Sequence, residues 1–161
     1  ADMDAHATAA ALADLLGKVG EYDLILCGDG SADNYAQQVD VQLAAKLGLP
    51  VVNGAAKIEL GAGVATVERV LEYVVETVEV PLPAVISVVP DVALPRIPGM
   101  KDILAAGKKP MNVSAADGAY AAALEVVDCK APEQADRKLE IIDASEDGAI
   151  EKFAAAIKAA L

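Results

Sequence analysis

Residues 24–48, LILCGDGSADNYAQQVDVQLAAKLG, constrain the fold more than any other stretch of this chain. An apolar run ends in a glycine-rich acidic turn, and a helical pattern starts directly after it. Strand, turn and helix in that order make the basic unit of an α/β sheet. In such sheets ligands gather beyond the carboxyl ends of the strands.

The pattern on either side extends this unit. Residues 4–19 carry Ala, Leu and Val at helical spacing, with Asp2 or Asp4 placed to cap the helix. Residues 22–27 read as a short buried strand of the parallel type. Residues 34–47 read as a second helix, closed by Gly48 and followed by Pro50. Residues 51–52 and 55–60 look extended, Gly61-Ala62-Gly63 can turn a hairpin, and residues 64–71 alternate as a strand does. Residues 77–80 and 84–89 add two more strands. A bend is required between residues 70 and 75, where no turn residue stands and a helix is the alternative.

Pro90, Pro95, Pro98 and Gly99 then interrupt the apolar pattern, which predicts a surface excursion over residues 95–110. Within it residues 100–106 can form two helical turns. Residues 114–136 are weakly patterned. Residues 139–142 offer an edge strand, and residues 147–161 an amphipathic helix with Ile150, Phe153, Ala154, Ile157 and Leu161 on one face.

Length and charge narrow the function classes. The 161 residues suit one compact domain, with 55% hydrophobic residues but only 3% aromatic. The core must therefore be built from Ala, Val, Leu and Ile. A net charge of −12 repels phosphate backbones and anionic membranes, which argues against a nucleic-acid partner. The longest apolar stretch, residues 74–90, is broken by Glu76, Glu79 and three prolines, so no membrane insertion is expected. The acidic start does not spell a signal peptide, and Cys27 and Cys129 do not spell a disulfide framework or a metal site. A reducing cytoplasm is the expected setting. The chain opens on Ala1 and on a helix rather than a strand, from which we expect a segment of a longer protein.

Two stretches carry possible chemistry. The turn GDGSAD, residues 28–33, places free backbone N–H groups near a helix start. It lacks the Lys-Ser/Thr of a phosphate loop and the glycine spacing of a dinucleotide fingerprint. Asp29 and Asp33 would repel a phosphate but accept hydrogen bonds from ribose hydroxyls or backbone N–H groups. The same residues also fit a capped turn, with Ser31, Asp33 or Asn34 as N-cap and Gln37 completing a box. Gln38, one helical turn after Asn34, could read a base edge or a phosphate, and surface Gln is the commoner reading. In the second stretch, residues 95–110, Met100, Ile103 and Leu104 stand beside Lys101, Lys108 and Lys109. An apolar anchor rimmed by cations suits partner docking, and the same residues could instead fold back on the core. His6 reads as a solvent-facing or capping residue, and Cys27 as a small buried hydrophobe. The residues spell no catalytic triad and no acid/base carboxylate pair.

These pieces occur together, in order, in one family. HATAAALA (residues 6–13), DLILCGDGSADNYAQQV (23–39), LGLPVVNG (47–54), VER (67–69), VEVPLPAVISV (78–88) and PRIPGMKDILAAGKKP (95–110) resemble the later part of an electron transfer flavoprotein β subunit. The GDGSADNYAQQV and IPGMKDILAAGKKP spellings are most similar to its Fix-type branch, associated with anaerobic or carnitine-linked metabolism. The resemblance implies an α/β fold of the adenine-nucleotide α-hydrolase-like, Rossmann-like kind: a parallel sheet, a β-hairpin extension and a C-terminal helix. It implies a heterodimer with an α subunit that carries FAD. The β subunit would hold AMP, or a second FAD in bifurcating members, and would be an electron carrier rather than an enzyme.

By position, Gly28, Asp33 and Gln38 match the nucleotide site best, with Asp29, Gly30, Ser31, Asn34 and Gln37 around it. Residues 95–110 match a loop that docks an acyl-CoA dehydrogenase or a quinone-linked oxidoreductase, with Met100 at the anchor position beside Lys101, Ile103 and Leu104. The implied organisation is a partial nucleotide-binding domain over residues 1–136 and a strand-and-helix arm over 137–161. The family's first strands have no counterpart here, so we expect a longer native protein or a partner over an open sheet edge. Two other classes compete: a nucleotide-binding module of universal-stress type, and an interaction domain without a ligand. The first would need a glycine-rich phosphate loop late in the chain, where residues 138–161 offer only Gly148.

Overall fold

The computed structural model describes residues 3–113, 115–116, 118–134 and 139–160. The backbone divides into two compact units, Ala1–Glu125 and Val126–Leu161.

The first unit opens with α1 (Ala5–Val19). Asp4 is its N-cap and accepts from the Ala7 N–H at 2.8 Å. The other candidate, Asp2, lies outside the described residues. Next come β1 (Leu24–Gly28), α2 (Val39–Leu47), β2 (Val51–Leu60), β3 (Val64–Val70), β4 (Val75–Pro81) and β5 (Ala84–Val88). The five strands form one sheet in the order β1-β5-β2-β3-β4. β1, β5 and β2 are parallel, and β3 and β4 continue antiparallel from β2. This is the expected α/β sheet with a hairpin extension. β5 is inserted between β1 and β2, so α2 crosses over it.

β2 serves both halves of the sheet. Val51, Val52 and Ala55 pair with β5, and Ala55 to Leu60 pair with β3. The pairing with β5 shifts register between Val52 and Ala55, and Gly54 there adopts a φ of +69° that L side chains rarely tolerate. The two stretches expected on β2 are therefore one bent strand. Gly61 N–H donates to Val64 at 2.8 Å and closes the predicted hairpin. Residues 71–74 form a second tight turn, with Leu71 N–H on the Val74 carbonyl at 2.9 Å. No helix forms there, because that turn lets Arg69–Glu76 and Val70–Val75 pair across the strands.

Val52, Ala55, Ala65, Val67, Val80, Ala84 and Ile86 form the core. Small alanines let the backbones approach closely in a chain with so few rings. α1 packs on α2, burying Ala7, Ala9, Leu43 and Ala44.

One expected boundary is wrong. Residues 34–38 are not helical, and α2 starts five residues later than its periodicity predicts. Tyr35 and Gln37 sit at φ +45° and +52°, incompatible with a right-handed helix. Neither Ser31, Asp33 nor Asn34 caps α2; Gln38 holds the N-cap position, with no side-chain cap bond.

Beyond β5, a 3-10 turn (Pro90–Val92) leads to α3 (Met100–Ala106), as predicted. In the second unit α4 (Ala149–Ala160) is the helix expected near the end of the chain. Ile150, Phe153 and Ile157 on it are exposed, and Leu161 lies outside the described residues. The edge strand expected over 139–142 does not form. Leu139 has φ +47°, and Leu139 and Ile141 are exposed and pair with no strand among the described residues.

Candidate functional site

The turn after β1 folds back on itself rather than running into a helix. Asp29 N–H donates to the Val88 carbonyl at 3.2 Å, tying the turn to β5. Tyr35 N–H donates to the Ser31 carbonyl at 2.9 Å, and the Tyr35 hydroxyl donates to Asp29 at 2.8 Å. That bond to a carboxylate raises the phenol pKa and keeps it a donor. The Tyr35 ring covers Gly30 so closely that a Cβ there would stand 2.6 Å from Cδ2. Asp33 accepts from the Asn34 N–H at 2.9 Å. Its carboxyl pKa is lowered, first by the Ser31 hydroxyl and then by that N–H. Asp33 thus spends its charge inside the loop.

The folded loop walls a cleft of about 420 Å³ at the carboxyl end of β1. Six of the residues expected at the site line it: Gly28, Asp29, Gly30, Ser31, Gln37 and Gln38. Leu12, Leu26 and Val39 supply an apolar wall. Asp33 is not on its lining. Asn34 instead faces a neighbouring cleft of about 510 Å³, with His6, Gln38, Gln42, Ala123 and Leu124. The sequence places Gln38 one helical turn after Asn34, but residues 34–38 are not helical and that relation does not hold; the Gln38 amide oxygen instead accepts from the Gln42 amide at 3.2 Å along α2.

Four functional candidates were missed by sequence reasoning. Asp40 in the first turn of α2 is 4% exposed and accepts from the Ser87 hydroxyl of β5 at 2.5 Å. A polar pair this deep bolts α2 to the strand beneath it. Ser87 interrupts the apolar run of residues 84–89, and that interruption was the available signal. Burial and the nearby Asp40 carboxylate push the Cys27 thiol up, so it stays protonated and poorly nucleophilic at neutral pH. Asn53 and Arg69 border a third, smaller cleft of about 200 Å³ with Asp29, Gln37, Asp40 and Ser87.

The chemistry on offer is recognition. Asp29 is an acceptor for hydroxyls, Gln37 and Gln38 carry both donors and acceptors for a base edge, and the aliphatic wall suits a flat ring. The donor set fits a nucleoside, while the carboxylates of Asp29 and Asp40 disfavour a phosphate set against them. Among the described residues no group of three His, Cys, Asp or Glu could hold a metal ion.

Residues 95–110 form the surface excursion expected of them. Met100 is 72% exposed, and Lys101, Ile103 and Leu104 are also exposed, so the excursion does not fold back on the core. Leu94 and Ile97, which sequence reasoning passed over, are more exposed still, at 96% and 93%. Asp102 accepts from the Gly99 N–H at 2.9 Å and fixes the start of α3.

The chain is an α/β sheet with a cleft at the carboxyl end of its first strand, lined by Asp29, Gln37 and Gln38 and by the apolar Leu12, Leu26 and Val39. The family model described as electron transfer flavoprotein domain matches residues 1–119, and this chain belongs to that family. The family is flavin-associated and carries electrons. No helix among the described residues is long and apolar enough to cross a membrane.

Proposed function

We propose that this chain is an electron transfer flavoprotein β subunit of the Fix-type branch. It holds an adenine nucleotide, AMP or the AMP portion of a second FAD, in the cleft at the end of β1. It pairs with an FAD-bearing α subunit and presents residues 95–110 to an acyl-CoA dehydrogenase or a quinone-linked partner. The bound flavin supplies the redox chemistry, and the chain's own residues bind, orient and dock. Cys27 and Cys129 are both free thiols, in keeping with a reducing cytoplasm.

One observation carries the reading: the loop after β1 closes over Gly30 and brings Asp29, Gln37 and Gln38 to one cleft with an apolar wall. A turn that served only to cap a helix would have placed Ser31, Asp33 or Asn34 at the start of α2. Calorimetric titration with AMP and FAD tests the proposal. Binding that Gln38→Ala weakens about tenfold, in line with losing a hydrogen bond to a charged or polar ligand group, supports it. Absence of binding in the presence of the flavin-bearing partner would leave the interaction-domain reading in its place.

A further inference from the structure

The loop after β1 holds a shape its backbone resists. Of the three non-glycine residues with positive φ among the described residues, two stand in this loop: Tyr35 at +45° and Gln37 at +52°. L side chains disfavour that region and keep to it only where other contacts impose it. Those contacts are few, and they lie on the surface. Tyr35 N–H donates to the Ser31 carbonyl at 2.9 Å, the Tyr35 hydroxyl donates to Asp29 at 2.8 Å, and the Tyr35 ring covers Gly30. Exposed hydrogen bonds exchange with water and contribute little net stability.

The same residues spell a second conformation without that strain. α2 starts at Val39 with no side-chain bond at its N-cap. Asn34, followed three residues later by Gln37, has the types and spacing that cap a helix reciprocally, and neither is used so. Were residues 35–38 helical, the N–H groups of Val39, Asp40 and Val41 would gain the carbonyls of Tyr35, Ala36 and Gln37 as acceptors. Both φ angles would return to the right-handed region. Reversing φ at Tyr35 swings its side chain off Gly30 and Asp29. Ala36, Gln37 and Gln38 line the cleft at the end of β1, so the change would also remake one of its walls.

We infer that residues 34–38 form a latch with two positions: a closed one, with Tyr35 on Asp29, and an open one, in which the same residues extend α2 by a turn. A molecule bound in the cleft holds the latch closed. The latch rests on the loop alone; only the choice of AMP or FAD as the closing molecule rests on the nucleotide reading.

Nuclear magnetic resonance of the whole chain tests it, reading backbone shifts of residues 34–38 and amide exchange at Val39, Asp40 and Val41. Tyr35→Phe keeps the ring and removes the hydroxyl bond. It should move the shifts toward helical values, slow exchange at the three amides, and change the ratio of the two forms about tenfold, the size of a lost hydrogen bond to a charged group. Gln37→Gly relieves the positive φ and weakens the helical alternative, so it should move the same signals the other way. Saturating AMP or FAD should act on the unaltered chain as Gln37→Gly does. Tyr35→Phe should bind AMP more weakly by the factor by which its closed fraction falls. Shifts that stay unchanged in Tyr35→Phe, or that move to those of an unstructured chain, would overturn the latch. So would AMP binding that is equal in the two chains while their shifts differ. A helical shift in Tyr35→Phe with no binding of either nucleotide would support the latch and remove the nucleotide reading alone.

Discussion

Single residues decide whether the loop after β1 is a cleft wall or only a turn. Gly30 has no room for a side chain beneath the Tyr35 ring. Gly30→Ala should therefore push Tyr35 off Asp29 and weaken nucleotide binding about tenfold or more, with a stability loss of only ~1 kcal/mol because the loop is exposed. Calorimetry and a melting curve on one sample separate the two effects. Asp40 makes the opposite prediction: a large stability effect. Asp40→Ala leaves the buried Ser87 hydroxyl unpaired and should cost about 1–3 kcal/mol. Asp40→Asn removes the negative charge that helps raise the Cys27 pKa. The thiolate then forms at lower pH, and the pH at which Cys27 begins to react with a thiol reagent should move down. An unchanged reactivity profile would mean that burial alone sets this thiol.

Elements show what the sequence could and could not tell. The β2–β3 hairpin was readable because alternation and a Gly-Ala-Gly turn are local signals, and both are used as spelled. α3 was equally readable from its Pro and Gly frame. The start of α2 was not, because Ala36 and Val39 keep a helical rhythm through residues that the Tyr35–Asp29 and Tyr35–Ser31 bonds hold in another shape. Those bonds join residues four and six apart across a turn, which periodicity cannot register. Residues 139–142 failed for the complementary reason: apolar residues can suggest a strand but cannot supply its neighbour.

The site followed the same rule. Residues 28–31 and 37–38 were found as a motif, whereas Asp40, Asn53, Arg69 and Ser87 converge from α2, β2, β3 and β5 and share no local spelling.

α1 also makes contacts that sequence could not foresee. Its cap, Asp4, accepts from the N–H groups of Ala123 and Leu124 at 2.6 and 3.0 Å as well as from Ala7. Asp14 accepts from the Tyr120 hydroxyl at 2.7 Å. Two carboxylates thus strap residues 120–124 along the helix. Asp4→Ala should raise hydrogen exchange at Ala7, Ala123 and Leu124 together; a rise at Ala7 alone would make Asp4 a helix cap only. The Asp4 carboxyl pKa is lowered, chiefly by the Ala7 N–H. Its contribution is therefore present above the ordinary carboxylate range and is lost as pH falls through the depressed value. The strap should loosen in acid, not in base.

At the scale of the whole molecule, the two surfaces proposed to act are built from different material. The cleft at the end of β1 is held by the sheet and sets Asp29, Gln37 and Gln38 against an apolar wall; the 95–110 excursion carries exposed Met100, Ile103 and Leu104, with Asp102 fixing the start of α3. Losses at one should not spread to the other. Met100→Ala is expected to slow electron transfer to an acyl-CoA dehydrogenase or quinone-linked acceptor while nucleotide content stays whole. Equal loss of both would remove the docking assignment.

The central claim, a nucleotide held at the end of β1, is tested most directly by co-expressing the chain with its flavin-bearing partner and measuring by mass spectrometry what the complex releases on denaturation. The account predicts either one FAD with one AMP, or two FAD, and a loss of AMP or of the second FAD in Gly30→Ala. A complex that releases FAD alone, one per heterodimer, and is unaltered by that substitution would contradict it.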